Sequence, residues 1–328
     1  MSLVERIKAK GREIGFDLVG IASAEPSIYA DYFRQWLAAG RAGTMRWLSE
    51  RLDERTDPTA YFPGTRSIIC VACNYRVELE SPAPADHGRV ARYALGDDYH
   101  TVMKDRLHDL ADWLRAEVPG TQTRSSVDTA PVMEKELAAR AGIGWMGKNT
   151  CIINEKIGSF VLLGQILTTL DLPADQPVDD RCGTCTRCIE ACPTSAITDE
   201  YQMDASRCIS YLTIEHRQEI PVELQPKIGD WLYGCDICQD VCPWNRKSPN
   251  TLDPAFQPRF KSGELEWKRV MEWTDEDYKM QLKGSAMKRV KLPMLKRNAG
   301  IVATNAGNIG NKKPHLARRE NTPGLWGE

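Results

Sequence analysis

Eight cysteines between residues 182 and 242 constrain this 328-residue chain more than any other feature. The run Cys182-x2-Cys185-x2-Cys188-x3-Cys192-Pro193 has the spacing of bacterial ferredoxins. Three thiolates on a tight loop can cap one cubane, and the fourth is expected to begin a helix that carries its sulfur to a neighbouring cluster. A second set, Cys208 followed by Cys235-x2-Cys238-x3-Cys242-Pro243, repeats the ending, with 26 residues between its first two members instead of two. Two 4Fe-4S clusters are therefore expected. By the crossover rule, Cys182, Cys185, Cys188 and Cys242 would hold one, and Cys192, Cys208, Cys235 and Cys238 the other. Zinc also accepts paired cysteines, but a zinc knuckle pairs two thiolates, whereas here a Cys-x2-Cys-x3-Cys-Pro ending occurs twice.

The total of eleven cysteines is odd and no secretory signal precedes them, so a disulfide framework is not expected. Cys70, Cys73 and Cys151 lie in apolar surroundings and read as buried small hydrophobes. With 42% hydrophobic and 27% charged residues, the chain can fold around ordinary cores and is neither disordered nor collagenous. No apolar run approaches the roughly 18 residues that span a bilayer, and charges at Glu5, Arg6, Lys8 and Lys10 replace the apolar core of a signal peptide. The expectation is a soluble, cytoplasmic protein with no membrane contact.

The formal net charge of -2 conceals an asymmetry. Between Tyr278 and Arg319 there are eleven basic residues and no acidic one, which leaves -13 for the rest of the chain. Lys279, Lys283, Lys288, Arg289, Lys291, Lys296, Arg297, Lys312, Lys313, Arg318 and Arg319 make a basic end suited to neutralising phosphates.

Apolar periodicity places an amphipathic helix at residues 3–14 and further helices near 29–39, 99–117 and 131–141. Strands are expected at Leu18–Ala22 and Ile68–Cys73, and a hairpin from Cys151–Ile153 to Phe160–Leu167 around Lys156-Ile157-Gly158. The pattern describes a mixed helix-and-strand domain over residues 1–170. The Asp- and Pro-rich stretch 171–180 leads into the cysteine module, giving a second segment at 171–250. A basic, partly helical segment follows over 251–328, with helix expected around Leu292 to Ile309.

Clusters that transfer single electrons need a second redox centre or a substrate, and three runs in the first domain carry suitable chemistry. Val127-Asp128-Thr129-Ala130-Pro131 holds a carboxyl next to an expected helix start, where Asp128 or Thr129 would cap and Pro131 would sit in the first turn. The glycines of Gly142-Ile143-Gly144-Trp145-Met146-Gly147-Lys148-Asn149 follow a helix and precede a strand, the reverse of a dinucleotide or phosphate loop, so they read as a helix stop and a close passage of backbone. Arg92-Tyr93-Ala94-Leu95-Gly96-Asp97-Asp98-Tyr99-His100 combines acid, phenol and imidazole, which suits proton transfer or a polar ligand.

Together with Arg55-Thr56-Asp57-Pro58, the eight cysteines and Cys208-Ile209-Ser210-Tyr211-Leu212-Thr213-Ile214-Glu215, these runs resemble the epoxyqueuosine reductase family over residues 1–310. The resemblance implies an α+β architecture: a nitroreductase-like cobalamin-binding domain, a ferredoxin-like two-cluster domain and a short helical C-terminal tail. It implies reduction of the epoxide of epoxyqueuosine in tRNA to a cyclopentene and water, using cobalamin and two 4Fe-4S clusters. An external electron donor is implied as well, and a monomer is expected.

Under this likeness Asp128 is the proton donor, and burial beside the corrin is expected to raise its pKa. Arg55, Ser210, Asp236 and Ile237 lie against the cofactor, and Tyr99 and His100 near the substrate pocket. Longer family members extend past the Arg297-Asn298-Ala299 region with a helical repeat domain; here fewer than thirty residues follow Gly300, room for one helical repeat. Two other readings use the same residues. A corrinoid reductive dehalogenase would share the cofactors but act on organohalides, and a pure electron-transfer protein would need neither corrin nor Asp128.

Overall fold

The strand Ser67–Asn74 has all eight residues buried, so it needs a packed layer on each face. Ile69, Val71 and Cys73 enter one apolar cluster and Ile68, Cys70 and Ala72 another, the period of two that a strand imposes. In the computed structural model, which describes residues 1–79, 84–260 and 264–309, this strand is central to an antiparallel sheet. The order is Leu18–Ser23, Ser67–Asn74, Val161–Thr168, Thr123–Ser126.

Helices Leu3–Ile14 and Tyr99–Glu117 cover one face through Ile7, Met103, Leu107, Leu110 and Leu114. The first is started by a capping box in which Ser2 and Glu5 exchange hydrogen bonds. Helix Glu134–Arg140 covers the opposite face through Leu137 and Ala138. Gly20 permits that approach, because a Cβ there would overlap the Ala141 carbonyl oxygen.

A second, three-stranded sheet joins distant parts of the chain. His87–Val90 pairs in parallel with Trp231–Tyr233 and antiparallel with Glu264–Glu266. Val90, Leu232, Leu295 and Val302 share the core beneath it, to which helix Leu292–Ile309 contributes. This sheet thus draws one strand from each of the three expected segments. Between them the stretch 171–180 is free of helix and strand, and Asp175 ties it down by accepting from the Ile21 amide (2.8 Å) and pairing with Lys8 (2.5 Å). Among the described residues no helix is long and apolar enough to cross a membrane.

Two local expectations fail. Ile152–Ile153 does not form a hairpin with Val161–Thr168 but pairs with Trp145–Met146. Asn154 and Gly158 close a turn of their own through mutual backbone hydrogen bonds, and Val161–Thr168 is taken up between Ser67–Asn74 and Thr123–Ser126. Helix 131–141 begins only at Glu134, and Asp128 and Thr129 do not cap it. The Asp128 carboxylate is engaged elsewhere.

Candidate active site

A cavity of about 1660 Å³ opens between the four-stranded sheet and the cysteine-rich segment. That exceeds the ~300–1,000 Å³ of a pocket for one drug-sized ligand. Asp128, Tyr99 and His100 lie on its wall, as do Cys208, Cys235 and Cys238. Residues separated by more than a hundred positions therefore face one space.

Asp128 follows the end of strand Thr123–Ser126 with φ of 50°, in the left-handed region that aspartate visits more readily than most residues. The turn is closed by the Thr129 amide and hydroxyl, both donating to the Val127 carbonyl. On the facing side, Asp98 caps helix Tyr99–Glu117 by accepting from the His100 amide, which places Tyr99 and His100 in the first turn. Tyr99 donates its hydroxyl to Asp128 Oδ2 (2.5 Å), and His100 Nε2 lies 3.2 Å from the same oxygen. His100 Nδ1 contacts Asp98 Oδ1 at 2.8 Å, and the Tyr99 and His100 rings stack at 4.0 Å.

The charge state of Asp128 departs from the sequence expectation. Burial pushes its pKa up, but hydrogen bonds from His100 and Tyr99, with the charge of His100, outweigh that and hold it below its ordinary value. Burial pulls His100 down, yet its hydrogen bonds to Asp128 and Asp98 raise it to about 9. A third acid, Glu134, is pushed up to about 7, by burial and then by the charge of Asp128. The sequence shows Glu134 six residues beyond Asp128 but carries no signal for its proximity to that carboxylate.

The cysteines gather in two neighbourhoods. Burial and the charges of Cys182 and Cys242 raise Cys188 to about 11, and Cys182 and Cys185 act in the same sense on Cys242. Cys235 is raised by burial and then by Cys208, Asp236 and Cys192, and Cys238 is raised by Cys151 and by burial, with smaller contributions from Cys235 and Cys208. Cys192 does not begin a helix. It ends the helix Arg187–Ala191, because Pro193 disfavours helical backbone in the residue before it. Cys242 precedes the 3-10 turn Pro243–Asn245.

Cys70 and Cys73 are buried in the sheet as expected of small hydrophobes, but Cys151 lies on the cavity wall beside Cys238. Its thiol is held below its ordinary value, chiefly by the neighbouring Cys238.

Ser210 and Asp236 line the cavity, whereas Arg55 and Ile237 do not. The Arg55 guanidinium stands 5.6 Å from the ring of Trp47, donates to the Trp47 carbonyl (3.3 Å), and leaves its Nε without a partner. It therefore backs a wall residue. Asp236 is clasped by Arg92, whose amide and Nη1 lie 2.9 and 3.0 Å from Oδ2, so its carboxylate is already satisfied.

The basic end divides on inspection. Lys288 and Arg289 reach the cavity rim, but Arg289 grips Glu215 through two 2.8 Å bonds. Arg297 is turned inward onto the carbonyls of Leu212 (2.9 Å) and His216 (2.7 Å), so it is unavailable to phosphate. Lys312, Lys313, Arg318 and Arg319 lie outside the described residues.

The chemistry of the wall suits a large redox cofactor. Ser126 Oγ, buried without a hydrogen-bond partner, belongs to that wall, and thiols from the second neighbourhood border the same space as the Asp128 carboxyl. Cys182 packs against the apolar cluster that holds Cys242, and Cys208 and Cys235 pack against another, so thiols from distant parts of the chain come close enough to suit shared iron-sulfur ligation.

Comparison with known proteins gives a consistent result. Residues 55–129 match the family model described as "Epoxyqueuosine reductase QueG, DUF1730", and residues 181–245 match the 4Fe-4S double cluster binding domain. Epoxyqueuosine reductase of Gloeobacter violaceus is 43% identical over 301 residues, covering 90% of this chain and 93% of the relative. That of Pseudomonas aeruginosa is 40% identical over 310 residues, covering 93% and 86%. A crystal structure of epoxyqueuosine reductase with an epoxyqueuosine-modified tRNA-Tyr stem loop superposes with a TM-score of 0.87 at 29% identity, covering 93% of this chain and 82% of that one. The Streptococcus thermophilus enzyme gives 0.83 at 31% identity, with the same coverage. With such identity along nearly its whole length, and with both functional segments matched, this chain belongs to the epoxyqueuosine reductase family.

Proposed function

We propose that this chain reduces the epoxide of epoxyqueuosine in tRNA to the cyclopentene of queuosine, with Asp128 as the proton donor. The observation that carries the reading is the shared cavity, where Asp128 faces the same space as Cys208, Cys235 and Cys238. The related structure with a modified tRNA stem loop supports tRNA as the macromolecular substrate.

Cys182, Cys185, Cys188 and Cys242 would hold one 4Fe-4S cluster, and Cys192, Cys208, Cys235 and Cys238 the cluster nearer the cavity. Ser210 and the backbone at Asp236 and Ile237 would meet cobalamin, with Arg55 supporting it through Trp47. When bound, these groups supply two electrons to the substrate carbon. The protein's own part is to seat the modified base, restrict water and deliver protons at Asp128 Oδ2, with Tyr99 and His100 fixing that oxygen.

Residues 1–170 are read as a nitroreductase-like unit on the strength of their helix-flanked antiparallel sheet, with the ferredoxin-like segment at 171–250 and the basic segment at 251–328. The chain would act as a cytoplasmic monomer fed by an external electron donor.

The test is turnover of epoxyqueuosine-containing tRNA by reduced, cofactor-loaded protein. Asp128→Asn should retain iron and cobalamin while losing on the order of 10² to 10⁴ in rate. Undiminished turnover in that variant would remove Asp128 from the mechanism.

A further inference from the structure

Removing an epoxide oxygen as water breaks two C–O bonds, forms one C=C bond, and consumes two electrons and two protons. On the reading above, the clusters and cobalamin supply the electrons, and Asp128 faces the substrate. A single carboxyl carries one proton, so it must be recharged within each turnover. The geometry around Asp128 shows where that second proton can come from.

We propose that His100, held by Asp98, is the proton store that recharges Asp128 between the two deliveries. This rests on Asp128 being the donor. Three residues form a chain of contacts: Asp98 Oδ1 lies 2.8 Å from His100 Nδ1, and His100 Nε2 lies 3.2 Å from Asp128 Oδ2. The imidazolium gives its Nε2 proton to Asp128, which passes it to the departing oxygen as the first C–O bond breaks. Imidazole then regains a proton from solvent, to which the His100 side chain remains 35% exposed, and recharges Asp128 for the second C–O cleavage. Tyr99 cannot fill this role at neutral pH, because burial and the neighbouring Asp128 push its phenol far above its ordinary value.

The resting charges agree with this order. The pair is an imidazolium facing a carboxylate, so its transferable proton resides on the histidine. The ionisable groups around it are Asp98 and Tyr99 beside it in the chain, Asp128 in contact with its Nε2, Glu134 acting through Asp128, Arg259 acting on Asp98, and Arg289 acting on Asp128. The carboxylates hold the proton on His100, and the two arginines temper them. Because the His100 pKa is raised to about 9, the store is filled below that pH and empties as pH rises through it.

The experiment is a pH–rate profile on epoxyqueuosine tRNA with cofactor-loaded full-length protein, comparing wild type, His100→Gln, Asp98→Asn and Asp128→Asn. Iron and cobalamin contents are measured for each. Wild type should hold its rate up to about pH 9. His100→Gln should lose on the order of 10²-fold near neutral pH and recover toward acid, where Asp128 takes protons directly from solvent. Asp98→Asn should move the alkaline limb the same way with KM unchanged. It carries the test if His100→Gln fails to load its cofactors.

Profiles parallel to wild type in whichever of these two variants loads would overturn the proposal, since a merely structural role scales the rate without moving the limb. Parallel profiles alongside an inactive Asp128→Asn would overturn the store and leave Asp128 as donor. An active Asp128→Asn would overturn both.

Discussion

Asn298 offers a demanding check on how the C-terminal segment supports the site. Its amide is 1% exposed and donates from Nδ2 to the carbonyls of Thr213 (2.8 Å) and Leu232 (3.0 Å). Its Oδ1 accepts from Arg297 at 2.8 and 3.1 Å. The carbonyl of Thr213 is among those that helix Ile209–Ile214 cannot satisfy internally, and Arg297 serves the Leu212 carbonyl in the same way. The pair therefore closes the end of the helix that begins directly after Cys208 and carries Ser210.

Asn298→Ala strands two carbonyls in a site that water does not reach. At about 1–3 kcal/mol for each unsatisfied buried group, the expected loss is about 3 kcal/mol. A chain of 328 residues has an unfolding entropy of roughly 0.7 kcal/mol/K, so the midpoint should fall by roughly 4 °C. Asn298→Asp is the sharper variant: it keeps the acceptor for Arg297 but turns a carboxylate toward two carbonyl oxygens, and it should be no more stable than the alanine variant. Anaerobic thermal unfolding followed by tryptophan fluorescence reads both. A loss below about 1 kcal/mol in the alanine variant, well short of the price of two stranded carbonyls, or an aspartate variant as stable as wild type, would refute the capping role.

Other consequences are simpler to measure. Anaerobically reconstituted protein should contain about eight irons per chain; about four, or zinc in their place, would contradict the two-cluster reading. Lys288→Gln should reduce the salt slope of tRNA binding by about 0.7 to 0.9 if Lys288 meets a phosphate, whereas Arg297→Gln should lower thermal stability and leave that slope unchanged. Equal slopes for wild type and Lys288→Gln would take Lys288 out of the interface. Gly20→Ala should cost about 1–3 kcal/mol by forcing the strand away from Ala141; a neutral result would show that this contact gives way freely.

Local signals were read well where neighbours in sequence are neighbours in space. The apolar stripe of Leu3–Ile14, the buried run of Ser67–Asn74 and the helix at Leu292–Ile309 form close to where periodicity placed them. The errors share one cause. Proximity in sequence suggests a hairpin partner for Val161–Thr168 and a helix-capping role for Asp128 or Thr129, but the strand pairs with Ser67–Asn74 and Thr123–Ser126, and Tyr99 and His100, nearly thirty residues earlier, claim the Asp128 carboxylate. Arg297 was counted among phosphate contacts because charge is legible in a sequence, and the carbonyls that occupy it are not. Cys151 was grouped with the buried cysteines because its apolar flanks concealed the cavity wall.

By itself the sequence determined the cysteine spacing, the acidic body with its basic end, and the residues through which the chain resembles its family. These depend on residue type and separation along the chain, which no fold can alter. Only the tertiary structure decided that Asp128 lines one cavity with Cys208, Cys235 and Cys238, and that its carboxyl is held below its ordinary pKa beside a His100 raised to about 9. Charge state follows burial and the nearest hydrogen-bond partners, and for Asp128 those partners come from another element of the fold.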